Sequence, residues 1–216
     1  MQPMCRPQAA AAVVVAVLAL FAPLSTAAER IVLAPSGLVA PPYSVSVEAA
    51  VGDGAPSRHI GWLTLGAPGH GLGLELEAED VDLSRRRADI SVQYSFTGNA
   101  LVDMAPTLTC GVRDAFNTGR WRRAFYVALG KRLGLSLAQE RFVRSFYLHA
   151  GIGTSRLEGP FLGFRANLAA GPSVSAEYVR RTVNASVSVP VVRGVEVRAY
   201  TLNGDLFWGA RVSFAR

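Results

Sequence analysis

The chain holds three histidines, His59, His70 and His149, and only His149 stands among hydroxyls that could act with it. Ser145 and Tyr147 share its face of an extended run, the kind of pairing by which a base activates a hydroxyl nucleophile. Yet Ser145 is four residues away, roughly 13 Å along a strand at ~3.3 Å per residue, beyond hydrogen-bond reach. The shorter His-x-Ser spacing would need serine at position 151, where the chain has Gly151. No cluster of His, Cys and carboxylates has the spacing of a metal site. Glu75 and Glu77, with Asp80 and Asp82 close by, could hold a cation loosely or face arginines. The residues therefore point to no catalytic group, no metal and no cofactor. An enzyme acting on lipid stays as an alternative that needs a Ser or Asp brought beside His149 by a neighbouring strand.

The charges make more sense as a set once the elements that carry them are drawn. Val183, Ala185, Val187 and Val189 alternate with Asn184, Ser186 and Ser188, and Val195, Val197 and Ala199 with Glu196, Arg198 and Tyr200. Leu206, Trp208, Ala210, Val212 and Phe214 alternate with Gly209, Arg211 and Ser213. Successive side chains of a strand point to opposite faces, so each run has one apolar and one polar face. Earlier runs behave alike: Tyr43 to Val51, His59 to Leu65, Gly71 to Ala78, Ile90 to Phe96, and Leu108 to Val112. Phe125 to Leu133, Phe142 to Ile152, Phe161 to Ala169 and Val174 to Arg180 complete them. The count is about twelve strands, with Glu29 to Ala34 as a further partial one, arranged as the up-and-down meander of a membrane barrel.

Asn203-Gly204 is a strong type I′ hairpin signal, and Gly171-Pro172, Arg180-Arg181 and Arg193-Gly194 read as further short turns. Glu79 to Arg87, Arg113 to Trp121, Gly134 to Arg141 and Gly153 to Pro160 read as longer loops. Trp121 to Leu137 would also make an amphipathic helix. Gly130, Gly134 and the Phe125-Tyr126-Val127 triplet favour a strand there.

The first 27 residues read as a secretory signal. Arg6 precedes an apolar run from Ala9 to Leu20, Pro23 breaks it, and Ser25-Thr26-Ala27 offers a small-x-small cleavage site. Residues 28–216 then form a single domain. Cys5 departs with the signal, so Cys110 stands alone and reads as a small apolar strand residue. The formal charge is +6. It is spread singly apart from Arg85-Arg86-Arg87, Arg122-Arg123 and Arg180-Arg181, and no base-stacking module accompanies it. Nucleic acid is not an expected partner.

Both a soluble β-sandwich and a membrane barrel accept strands of period two. The barrel is preferred because Tyr43, Phe96, Phe161, Tyr178, Tyr200, Phe207 and Phe214 lie near strand ends, as an interfacial belt would. The polar face is also small and mixed, as a lumen is. The fold expected is thus all-β, a closed antiparallel barrel in the outer membrane, with a soluble periplasmic sandwich binding a partner or glycan as the alternative. Glu48, Glu75, Asp89, Gln93, Arg113, Arg165, Asn167, Glu177, Glu196, Arg198 and Arg211 should face the lumen. Mixed charges could line a wet channel or bridge across and plug it.

Gly111-Val112-Arg113-Asp114-Ala115-Phe116-Asn117-Thr118-Gly119 resembles the G-[LV]-R-D-x-x-G-T-G segment of the YjbH family, outer-membrane barrels associated with exopolysaccharide production. Tyr126 to Arg132 is similar to that family's Y-x-V-A-S-K-R strand and Ser175-Ala176-Glu177-Tyr178 to its K-A-E-Y strand. Pro35-Ser36-Gly37-Leu38 is loosely similar to its N-terminal G-L-x-x-P-S segment. Asn117 departs from the pattern, where glycine is expected. The resemblance implies a non-enzymatic barrel supporting exopolysaccharide export or passive solute passage. Its expected partners are outer-membrane lipid, the barrel-assembly machinery, and polysaccharide or its export proteins. It marks Arg113 and Asp114 as a structural or functional charge pair.

Overall fold

A computed structural model describes residues 30–53, 58–67, 72–81, 85–96, 106–118, 122–136, 139 and 141–215. The signal segment lies outside the described residues. The fold is a closed antiparallel barrel of twelve strands in which each pairs with its sequence neighbours and β1 closes on β12. The strands are β1 (Ser44–Gly52), β2 (Arg58–Gly66), β3 (Leu72–Val81), β4 (Arg85–Ser95), β5 (Thr107–Arg113) and β6 (Ala124–Leu133). They continue as β7 (Val143–Gly153), β8 (Gly159–Leu168), β9 (Ser173–Val179), β10 (Thr182–Val192), β11 (Val195–Leu202) and β12 (Asp205–Ala215). Ser44 pairs with Ala215, so both ends of the strand series meet at one rim, here termed the terminal rim. The β1–β2, β3–β4, β5–β6, β7–β8, β9–β10 and β11–β12 connections lie at the opposite, far rim.

The faces decide between barrel and sandwich. In β1, Ser44, Ser46, Glu48 and Ala50 are buried while Val45, Val47, Ala49 and Val51 are exposed. In β10, Asn184, Ser186 and Ser188 are buried, while Val183 is 65% exposed and Val187 46%. A soluble sandwich hides its apolar face, whereas this wall hides its polar one, as a barrel surrounded by lipid must. Closure satisfies every strand edge, which an open sheet in hydrocarbon could not do. No helix among the described residues is long and apolar enough to cross a membrane, so crossing falls to the strands.

Several expectations are corrected. Phe161, Tyr200 and Phe207 belong to no interfacial belt; they point inward and are buried, Tyr200 stacked on Phe207 at 5.5 Å. Their parity places them with Glu196 and Arg211, so the register and not the residue type sets their face. The exposed outward aromatics among the described residues are Tyr43, Tyr94, Phe96 and Phe142 towards the terminal rim and Phe116, Phe125, Tyr178 and Trp208 towards the far rim, so Tyr43, Phe96 and Tyr178 do lie where an interfacial belt would put them. Residues 79–81 and 85–87 belong to no loop: β3 runs to Val81 and β4 starts at Arg85, with Glu79 opposite Arg87 and Asp80 opposite Arg86. Residues 124–133 form strand β6, as the glycine and aromatic content favoured.

The hairpins follow their chemistry. Asn203 (φ 54°) and Gly204 (φ 93°) adopt the left-handed pair that a type I′ turn requires, and Arg180 and Arg181 do the same at φ 50° and 64°. Asn117 has φ 56°, so the position where glycine was expected does demand a left-handed backbone, which asparagine tolerates better than most residues. The apolar outer wall gives a direct expectation. Val187→Arg, at mid-strand on the lipid side, should destabilise the barrel in liposomes by about 2–4 kcal/mol. Val189→Ile on the same face should be near neutral, and urea titration of the reconstituted protein reads both.

Candidate functional site

The lumen is filled, and residues 30–42 fill it. This segment, expected to supply a partial strand at Glu29 to Ala34, instead lies inside the barrel, with only an isolated bridge between Arg30 and Pro35. It packs inside because its apolar run Ile31-Val32-Leu33-Ala34 lacks the polar alternation of a wall strand. At the terminal rim it is anchored where the Tyr43 amide donates to the Gly66 carbonyl. Inside, Ile31 N donates to the Ala34 carbonyl at 2.9 Å, closing a tight turn. Arg30 to Gly37 are all buried.

Glu177, on β9 and 2% exposed, grips that turn. Its carboxylate accepts hydrogen bonds from the amides of Val32 (2.9 Å), Leu33 (2.8 Å) and Ala34 (2.9 Å), and a fourth from Asn184 Nδ2 (2.8 Å). Successive amides converging on one anion form a nest, and they satisfy donors that would otherwise be buried unpaired. Asn184 is held in turn by the Asn203 amide, which donates to its Oδ1.

Charge closes the lumen at mid-height. The Arg30 guanidinium donates to Glu48 at 2.9 Å and to Glu75 at 3.1 Å, and lies 3.7 Å over the Trp62 ring. Arg113 reaches Glu75 at 2.8 Å and Arg198 reaches Glu48 at 2.6 Å. The result is a continuous ladder, Arg113–Glu75–Arg30–Glu48–Arg198. Burial alone would lower the Arg30 pKa, but Glu48 and Glu75 outweigh it and the net shift is upward, so the cation is retained. Nearer the far rim, Arg156 of the 3-10 turn Ser155–Leu157 crosses to Glu77 at 2.8 Å, and Trp62 Nε1 donates to the same carboxylate.

Between these polar layers lies an apolar one. Ile31 and Leu33 pack with Ile60, Leu157, Phe161, Val179, Tyr200 and Phe207 in a core of the kind found inside soluble domains. Two wall glycines let the segment approach. A Cβ on Gly130 would meet Thr107 Oγ1 and the Ser36 carbonyl, and one on Gly163 would collide with Ile31. Thr107 Oγ1 donates to the Gly37 carbonyl at 2.7 Å, and Gln93 Nε2 to that of Leu38 at 2.8 Å.

The structure places the expected lumen residues as follows. Arg113, Glu177 and Arg198 are buried and bonded inside. Arg165, Glu196 and Arg211 are half-buried on the inward register of β8, β11 and β12. Arg211 donates to Ser46 Oγ at 3.3 Å and stands opposite Glu48 and Glu196 in register. Asp114 lies just past β5 at φ 53°, its Oδ1 accepting from the Thr118 amide at 2.8 Å. The guanidinium of Arg113 is directed to Glu75. Glu75 and Glu77 face arginines. His149 is inward and buried, but Gly130 and Gly163 flank it in register, so the adjacent strands bring no nucleophile beside it. Ser145 is engaged by Asn167 Nδ2 at 2.8 Å. Among the described residues no group of three or more His, Cys, Asp or Glu is placed to hold a metal ion.

Arg30 and Arg156 were not among the expected lumen residues. Arg156 sits in an irregular connection with no periodicity to mark its direction. Arg30 precedes the one apolar run near the mature start that lacks strand alternation, and that run was the available signal.

Glu177→Ala should orphan three amides at about 1–3 kcal/mol each and loosen the turn. On a Cys110→Ser background, Ala34→Cys should react slowly with a water-soluble maleimide, and at least tenfold faster once Glu177→Ala is added.

No protein-family model matches the chain, so the resemblance to the YjbH family rests on its own segments, and no curated protein matches either. Solved structures share the fold. A KdgM porin is 14% identical with a TM-score of 0.51, the alignment covering 80% of this chain and 99% of the porin. A KdgM porin in complex with disordered oligogalacturonate is 13% identical with a TM-score of 0.50 and the same coverage. At such identity the likeness is one of fold.

Proposed function

We propose that the chain is a non-enzymatic outer-membrane barrel that passes a small solute or oligosaccharide, with residues 30–42 as a built-in stopper. The observation that carries this reading is the way the segment is held. It enters the lumen as a separate piece, gripped by the Glu177 nest and by the Arg30 ion pairs, with glycines clearing its path. All these contacts are non-covalent.

The surroundings follow from the faces: outer-membrane lipid against the apolar wall, and the assembly machinery for insertion after signal removal. One KdgM porin structure is a complex with oligogalacturonate, a chain of carboxylated sugars. Transferred to this chain, that solute class would meet Arg165, Arg198 and Arg211 on the inward side of β8, β11 and β12. Arginine suits carboxylates because its fork matches them bidentately.

A second reading, a module of exopolysaccharide export, is favoured by one contact. The Pro35-Ser36-Gly37-Leu38 stretch packs on β6, where a Cβ at Gly37 would strike the Leu129–Gly130 peptide. The two separated stretches that resemble the YjbH family thus touch each other.

Conductance in planar bilayers tests the main reading. The full barrel should be nearly silent, and removal of residues 30–40, or Glu177→Ala with Arg30→Ala, should raise the open fraction at least tenfold. A barrel that still migrates as folded without boiling, yet stays silent after the deletion, would show that the lumen is no conduit. The export reading would then be tested by surface polysaccharide in cells lacking the protein.

A further inference from the structure

The outer wall carries a concavity where a barrel is otherwise convex. A groove of about 610 Å³ crosses strands β6 to β10 on the lipid-facing side, a volume within the range of small-ligand sites. Two neighbouring rows of outward residues shape it. One row is Leu129, Ala150, Leu162, Tyr178 and Val183, each paired in register with the next. The row beside it is Lys131, Leu148, Phe164 and Ala176. Ala150 and Ala176 stand among bulky neighbours, and their small side chains leave the depression. The groove runs obliquely because the strands tilt: Lys131 is third from the terminal-rim end of β6, and Val183 is second from the far-rim end of β10. Four strand spacings of about 4.8 Å make it roughly 19 Å long. One leaflet of hydrocarbon is about 15 Å deep, half of a ~30 Å core, so a single acyl chain slanting along the groove fits it.

The groove is apolar except at one end. His149 and Glu177 border it only from inward positions, with their side chains turned to the lumen. Lys131 is outward and exposed, with no hydrogen-bond or ion-pair partner among the described residues. Among the described outward side chains of the strands only Arg144, closer to the terminal rim, is also charged. A cation on a lipid-facing wall is costly unless its stem carries it to the interface, where an anion can meet it.

We propose that this groove seats one glycerophospholipid of the terminal-rim leaflet, with an acyl chain along the groove and its phosphate on the Lys131 ammonium. Lipid around a convex wall touches protein on one side and exchanges freely. A chain in the groove is touched on both sides, by Leu129 and Leu162 of one row and by Leu148 and Phe164 of the other. The phosphate supplies the charge-assisted partner that Lys131 lacks within the protein. The seat depends on the outer wall facing lipid, as proposed above, and not on what the lumen passes.

Native mass spectrometry of the folded barrel tests this, with palmitoyl-oleoyl phosphatidylglycerol in detergent micelles as the probe and the matching diacylglycerol as the uncharged control. One phospholipid should stay bound per barrel, at least fivefold more tightly than the diacylglycerol. Lys131→Ala should weaken it about fivefold, and Lys131→Arg should retain it. Ala150→Leu with Ala176→Leu should fill the groove and weaken binding at least tenfold, by removing the apolar surface the chain covers. Ala210→Leu, outward on β12 and away from the groove, should change nothing. Gel mobility without boiling confirms that each variant is folded. Equal retention of the diacylglycerol, an equal loss in Ala210→Leu, or full retention after the groove is filled would overturn the seat and leave the barrel standing. A phosphorylated glycolipid that displaces the probe at lower concentration would overturn the glycerophospholipid in favour of the opposite leaflet's lipid. A chain that never partitions into liposomes would overturn the membrane reading itself.

Discussion

A buried carboxylate cannot stand bare in a barrel wall, and Glu177 is where this constraint organises the molecule. Turned inward by its register on β9 and 2% exposed, it needs donors from the protein. The turn at residues 31–34 has the converse difficulty: buried amides with no strand to pair with. Bringing the two together satisfies both, through three amide hydrogen bonds to one side chain. Everything else in the lumen is compatible with that docking: glycines where the backbone must pass, apolar residues around Ile31 and Leu33, and acids where Arg30 arrives.

The ion-pair ladder acts differently. Buried pairs contribute little net stability, because desolvation offsets most of their attraction, but removal of one member leaves an uncompensated charge at about 3–5 kcal/mol. Arg30 is the shared member of the ladder, bonded to both Glu48 and Glu75, which also hold Arg198 and Arg113. A segment shifted by even one residue would strand two wall acids facing two wall arginines without their centre. The ladder therefore fixes the height at which the segment sits, while the apolar layer supplies most of the burial.

The inward aromatics show how a barrel of this size closes. Twelve strands enclose more space than wall side chains alone fill. Here Trp62, Tyr200, Phe207 and Phe161 fill part of it from the wall, and the segment fills the rest. The mixture of packed core and charged ladder is not that of an open porin lumen, although the wall shares its fold with KdgM porins.

The alternation of side chains fixed much of this in advance. Period two set the strands, the Asn203-Gly204 turn set a hairpin, and the polar parity of Glu48, Glu75, Glu177, Arg198 and Arg211 set which side they face, because a strand has only two sides. Sequence alone could not say which inward side chains meet across the lumen, since that depends on curvature and stagger that no local pattern encodes. Phe161 and Phe207 were misread for this reason: proximity to a strand end looks the same whether a ring faces lipid or lumen. The state of the lumen, open or plugged, was equally beyond the sequence. It was settled by the tertiary placement of residues 30–42, whose short apolar run has no periodicity, and whose partner carboxylate lies about 145 positions further along the chain.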